Sequence, residues 1–227
     1  MSRISSVVAT FIFVLSIANS QARFFDGYGY FTVGVNFLNL DEINQALKTN
    51  DYAQFKSNFL TVGGAGGFAF NKILIGGEGF ALMAQKQDKR NYRSFLSGGG
   101  GFFNVGYIVY ERKNLQVYPM IGIGGGGLNL KLIDKRERSF NEAIANPKSF
   151  DASNSMFMID ISGGLNLKFG RFGYFIVGIR TGYVFSPAVG SWKTGGEVEL
   201  QESVRQGING FYFRVSVGGG GGGYRRK

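Results

Sequence analysis

The stretch that most restricts this chain runs from residue 94 to residue 130. It reads SFLSGGGGFFNVGYIVY, then the polar ERKN, then LQVYPMIGIGGGGLNL. The glycine quartets at 98–101 and 124–127 lie the same distance from the centre of the turn at 111–114. An antiparallel hairpin gives this mirror symmetry, because each residue steps away from the turn with a partner. Pairing Tyr110 with Leu115 would set Gly98 against Gly127 and Gly101 against Gly124. Two strands this long are unusual in a soluble domain, where roughly 5–6 residues is the mode. They imply a closed surface.

The composition agrees. With 37 Gly, 15% aromatics and mean hydropathy near zero, many glycine-relieved strands fit the 227 residues better than a helical core does. That length suits one domain or one barrel. At the start, Arg3 precedes an apolar run at 7–17, and Ser20-Gln21-Ala22 places small residues where a signal peptidase needs them. Residues 1–22 therefore read as a cleaved signal peptide. An anchor helix needs about 20 apolar residues, more than this run supplies. No Cys is present, so disulfides do not staple the exported chain. No later apolar run crosses a membrane as a helix, and the other structure that satisfies every backbone group in lipid is a closed barrel.

Eight strand-like segments follow, at 28–37, 58–70, 73–84, 95–110, 115–130, 156–169, 172–185 and 208–217. Connections at 71–72, 111–114 and 170–171 are short, whereas those at 38–57, 85–94, 131–155 and 186–207 are long. Short turns on one side and long loops on the other are the layout of an outer-membrane barrel. The expected architecture is all-β: an eight-stranded antiparallel transmembrane up-and-down barrel over 23–217, with short periplasmic turns and four long external loops. Residues 218–227 read as a Gly-rich basic tail.

Alternation assigns the faces. Phe157, Ile159, Ile161, Leu165, Leu167 and Phe169 share one parity, with Asp160, Ser162, Asn166 and Lys168 on the other. Phe211, Phe213, Val215 and Val217 likewise oppose Tyr212, Arg214 and Ser216. A water-facing surface would be dense in charge. The polar parity instead carries only Glu78, Asp160, Lys168, Arg180 and Arg214 among small residues, as a filled polar interior would. Aromatics near the short turns (Tyr28, Tyr30, Phe68, Phe70, Tyr107, Tyr110, Tyr118, Phe169, Phe172 and Tyr174) suit a periplasmic-side girdle. Apolar residues are thus expected to face lipid. The reverse assignment would give a secreted soluble barrel holding an apolar ligand. Glycines read mainly as relief for a narrow, tightly curved barrel, with a smooth ligand site beneath the external loops as the sharper alternative.

With these segments and loops over almost all the mature chain, the sequence resembles the small eight-stranded outer-membrane barrels of the OmpA/OmpX type. The resemblance is architectural and implies a packed interior with ionic pairs rather than a pore. It differs at the end: such barrels commonly finish on an aromatic residue, while this chain runs through glycines to Tyr224-Arg225-Arg226-Lys227.

Candidate chemistry is sparse. Without His or Cys the usual general base, thiol nucleophile and zinc ligands are missing, so no enzyme, metal or cofactor is expected. The interior set, Glu78 with Arg180 or Arg214 and Asp160 with Lys168, reads as buried pairs that fill the barrel, with gating as the functional alternative. The first loop carries a helical pattern at 41–55 with Asp41 as its cap, the third a capping-box pattern Ser139-x-x-Glu142, and the fourth Trp192 and an alternating run at 197–200. Lys86, Lys89, Arg90, Arg93, Lys131, Lys135, Arg136 and Arg138 gather in the second and third loops as candidate contacts for lipopolysaccharide phosphates. Export argues against nucleic acid, the other partner of a basic chain. The expected role is non-enzymatic, structural or in surface recognition at the cell outer membrane. Its partners would be outer-membrane lipid, lipopolysaccharide and an extracellular or periplasmic protein. A narrow channel or small-solute transporter is the rival.

Overall fold

The structure is a computed structural model and describes residues 25–136, 139–145, 149–170, 173–195, 197–201 and 204–222. The leader at 1–22, Phe172, Arg138 and the basic end at 223–227 lie outside these residues. Eight long strands run β1 (Phe25–Leu38), β2 (Asn58–Phe70), β3 (Ile73–Lys89), β4 (Tyr92–Tyr107), β5 (Leu115–Asp134), β6 (Ser149–Phe169), β7 (Gly173–Val189) and β8 (Gly210–Gly222). Each pairs antiparallel with its neighbours in sequence, and β1 pairs with β8, so the sheet closes as an up-and-down barrel.

Parity works as the alternation predicts. Phe211, Phe213, Val215 and Val217 point outward, as do Phe157, Ile161, Phe175, Ile179 and Phe185. Tyr212, Arg214, Ser216, Asp160, Ser162 and Arg180 are buried inside. Phe211 and Ile161 are each 65% exposed. A soluble barrel would have to hold this apolar wall in water, so the reversed assignment is excluded. The wall is that of a transmembrane barrel.

Several details depart from the sequence reading. In the opening hairpin Tyr110 pairs with Val117, and Gly99, Gly100 and Gly101 face Gly127, Gly126 and Gly125. The turn is tighter than expected, with Arg112 paired to Leu115 across Lys113 and Asn114. The register then changes by one residue where the Ile108 N–H leaves the ladder to donate to the Lys72 carbonyl at 2.8 Å. Glycines 218–222 are no tail. They form the last five residues of β8, with Tyr30 opposite Gly218 and Asp26 opposite Gly222. A run without side chains has no alternation to read, yet its backbone fills the closing seam. The second external connection is mostly strand. β3 and β4 rise together to a tight turn in which Arg90 takes a positive φ of 51°. In the fourth loop, Lys193–Thr194 and Val198–Glu199 pair as a small hairpin, and Ala152 and Ser153 of β6 pair with its first strand; it does not extend β7 and β8.

Helix α1 (Asp41–Thr49) begins after Leu40. The Asp41 N–H donates to Asn39 Oδ1 at 2.9 Å, so Asp41 sits in the first turn and is not the cap. Acidic Asp41 and Glu42 at its start and Lys48 at its end complement the helix dipole. Ile43 and Leu47 are buried. A second short helix, α2 (Phe140–Ala145), starts where the Glu142 N–H donates to Ser139 Oγ at 3.2 Å, one half of the expected capping box.

Candidate functional site

The barrel interior is layered, and β3 shows the order in one strand: Leu74, then Glu78, then Phe80 and Leu82. At the periplasmic end Ala69, Leu74, Ile108, Tyr118 and Met120 pack together with Tyr28. At the external end Phe59, Phe80, Leu82, Leu96, Phe102, Leu128, Met158 and Val184 form a larger apolar core. Helix α1 covers it with Ile43 and Leu47, and the fourth loop adds Trp192 and Ile208. Phe59, Leu96, Met158, Val184 and Ile208 are wholly inaccessible to solvent.

Between these layers lies the ionic belt. Arg180 Nη1 and Arg214 Nη1 donate to the two carboxylate oxygens of Glu78. Arg180 Nη2 reaches Asp160 Oδ2 at 2.5 Å. That oxygen also accepts from Ser162 Oγ at 2.8 Å and from the Tyr212 hydroxyl at 3.2 Å. Asn104 Nδ2 donates to Glu78 Oε2 at 3.4 Å. The Arg214 guanidinium carbon lies 4.2 Å from the Tyr212 ring centre and 4.8 Å from that of Phe80. Two carboxylates thus face two guanidiniums, and aromatic faces take up part of the positive charge. Removing one partner would strand a buried charge, whereas the assembled set is neutral.

Four of the five expected interior charges meet here. The fifth does not. Lys168 lies eight residues along β6 from Asp160, toward the periplasmic turn, too far to reach it. Its Nζ is 3.0 Å from Asp26 Oδ2 and 4.4 Å from the Tyr174 ring centre. Asp26 precedes the segment at 28–37 in which alternation begins, so no pattern marks it. Tyr28, Tyr30, Tyr118 and Tyr174 also turn inward instead of joining the girdle. Tyr28 and Tyr30 stack at 5.8 Å, and Tyr118 is buried. Parity was the available signal, since Tyr28 and Tyr30 alternate with outward Phe31 and Val33 and share a face with buried Thr32 and Asn36. Phe68, Tyr107, Tyr110 and Phe169 do face outward at that end.

On the inner face of the barrel the quartets enclose no ligand space. A Cβ on Gly98 would lie 2.8 Å from Leu128 Cδ2, and one on Gly126 would lie 2.7 Å from Met158 Cε. The room left by the inward glycines holds the external core itself.

Six of the basic residues at the rim are ion-paired. Asp51, after α1, bridges to Lys89 at 2.8 Å and Arg90 at 2.6 Å on the β3–β4 tip. Asp88 takes Arg93 at 2.9 Å and Lys135 at 3.5 Å, joining that tip to the end of β5. Arg136 holds Asp134 at 2.6 Å, and Lys131 lies 3.8 Å from Asp151. Lys86 is exposed and makes no ion pair with another described residue. The hydrogen bond from Lys89, and then the charge of Arg90, hold the Asp51 carboxyl below its ordinary pKa. Arg93 does the same for Asp88, chiefly by hydrogen bonding.

No family model matches the chain, and no curated relative matches its sequence. Among solved structures it is similar to Ail, the attachment invasion locus protein of Yersinia pestis, at 12% identity and a TM-score of 0.40, over 90% of this chain and 100% of that one. Outer membrane protease OmpT from Escherichia coli shares 9% identity at a TM-score of 0.41, over 91% of this chain and 100% of the other. Neisserial surface protein A aligns at 9% identity and a TM-score of 0.42, over 88% and 99%. These loose likenesses bring no activity or ligand with them.

Proposed function

We propose that the protein is a non-enzymatic component of the cell outer membrane that acts through its external rim, with lipopolysaccharide phosphates as its first partner. The observation that carries this reading is the packed interior. An ionic layer packed on both sides by apolar side chains argues against a lumen for transport and favours contact with other molecules at the outer end. There, ion pairs tie the first loop, the β3–β4 tip and the end of β5 into one platform. Loops held on a rigid scaffold are the usual bearers of recognition.

The platform retains excess positive charge. Lys86, Lys89, Arg90, Arg93, Lys131, Lys135 and Arg136 outnumber Asp51, Asp88, Asp134 and Asp151. Residual charge of this kind draws anionic headgroups, at about 1 kcal/mol per basic residue near an anionic surface. Replacing Arg90, Arg93, Arg136 and Arg138 together with Gln is expected to lower the lipopolysaccharide that co-purifies with the folded barrel. Unchanged lipid stoichiometry would remove the rim from this role.

A further inference from the structure

The outer wall carries a hollow among the described residues. Near the external end of β6 and β7 a groove of about 830 Å³ is lined by Gly125 of β5, Ser155 and Phe157 of β6, Pro187 and Ala188 of β7, and Arg205 of the last loop. Its origin is local. Phe157 pairs with Ala188 but Ile159 pairs with Phe185, so Ser186 and Pro187 together oppose Met158 alone. This is a β-bulge on β7, and proline is tolerated there because a bulge leaves an N–H without a ladder partner. On the rung below the rim, Gly125, Phe157 and Ala188 stand side by side. A phenyl ring flanked by two nearly bare positions leaves a channel on each side of it.

Polarity changes along the groove. Phe157 and Phe185 belong to the apolar outward parity and are 45% and 50% exposed, so the lower end opens toward hydrocarbon. Arg205 is exposed above them, and it forms no ion pair with another described residue. A hydrocarbon-facing floor beneath a guanidinium that no described residue pairs matches a molecule that is apolar below and anionic above.

We infer that this groove holds one phosphate-bearing lipid of the outer leaflet, its acyl chain across Gly125, Phe157 and Ala188 and its phosphate on Arg205. The inference rests on the reading of the chain as a membrane barrel with this end outward, and it is independent of the rim basic residues. Guanidinium suits phosphate because its planar donors match two oxygens at once.

The test uses the full chain in bilayer discs of phosphatidylcholine and phosphatidic acid at nine to one, with bound lipid counted by native mass spectrometry after release. Wild type is expected to retain phosphatidic acid over phosphatidylcholine. Arg205→Gln should cut that retention about fivefold, the worth of one basic residue at an anionic surface. Gly125→Leu, placed where the wall has room for a side chain, should remove bound lipid of both kinds by filling the channel. A heat-dependent gel shift confirms that each variant folds. Equal retention by Arg205→Gln and wild type would overturn the inference. So would a dimer that Gly125→Leu abolishes, which would mean that a second copy occupies the groove. Wild-type protein that stays soluble without detergent and enters no disc would instead overturn the membrane reading itself.

Discussion

Glycines on the two faces of the same strands behave differently. Inside the barrel they are one half of a packing pair. A Cβ on Gly164 would lie 2.5 Å from the Tyr118 ring, and one on Gly182 would lie 2.6 Å from Ser162 Cβ. Beside Gly220 the Tyr174 ring would be met at 2.6 Å. Each large interior side chain crosses to a neighbouring strand and lies where that strand has none, a device that also protects bare backbone. On the outside, Gly64, Gly77, Gly79 and Gly125 would place a Cβ no closer than 3.4 Å to anything. The outer face is tightest within the quartets. There, a Cβ on Gly99 or Gly101 would lie 2.6 or 2.9 Å from the carbonyl oxygen of Phe80 or Glu78. The inner glycines therefore answer to the fold, and most of the outer ones answer to what surrounds it.

This contrast can be broken or sharpened by substitution. The largest effect belongs to the ionic belt that the inner packing encloses. Arg180→Met should destabilise the barrel by about 3–5 kcal/mol, because Glu78 and Asp160 keep their burial and lose a shared cation. Urea unfolding in lipid vesicles measures this, and a loss below about 1 kcal/mol would mean that the belt is effectively solvated. Next comes Gly164→Ala, expected to cost about 1–3 kcal/mol through overpacking against Tyr118. Restoring stability with Tyr118→Phe added would trace the cost to the hydroxyl, while restoration only by Tyr118→Leu would trace it to the ring.

Gly64→Ala or Gly79→Ala should stabilise by about 0.5–1 kcal/mol, the ordinary gain from replacing an interior strand glycine where space allows. A loss at these positions would show that the outer wall is constrained by a partner or by curvature. The smallest effect is at the rim. Asp51 and Asp88 have depressed folded pKa values, so their contribution is complete above the ordinary aspartate value of 3.8. It is lost only as pH falls below that through the folded values. Amide exchange in α1 and at the β3–β4 tip should stay flat from pH 7 to about 5, after correction for intrinsic rates. Protection should then weaken in acid, and Asp51→Asn should abolish the transition in α1.

Much of the barrel was legible because period-two alternation survives wherever strands carry side chains. The segment at 58–70 matches β2 end to end, and the outward residues of β6, β7 and β8 all follow their parity. What escaped was either bare or tertiary. Glycines 218–222 have no pattern to read, and the register of the β4–β5 hairpin depends on a two-residue turn at Lys113-Asn114 and on one N–H that bonds to Lys72. Asp160 meets Arg180 because Ser162 lies opposite Gly182 on neighbouring strands, a relation of register rather than of spacing. Asp51 and Lys89 lie on different external connections, and no local signal relates them.

The central claim is that this interior is a solid core, apolar above and below a neutral ionic layer. Single-channel recording of the refolded full chain in planar bilayers tests it most directly. The predicted result is no stable conductance step, with Gly98→Leu and Met158→Gly as packing variants that respectively destabilise and loosen the external core. A reproducible unitary conductance in the wild-type protein would contradict the account, because ions would then be crossing the layer of Phe59, Leu96 and Met158.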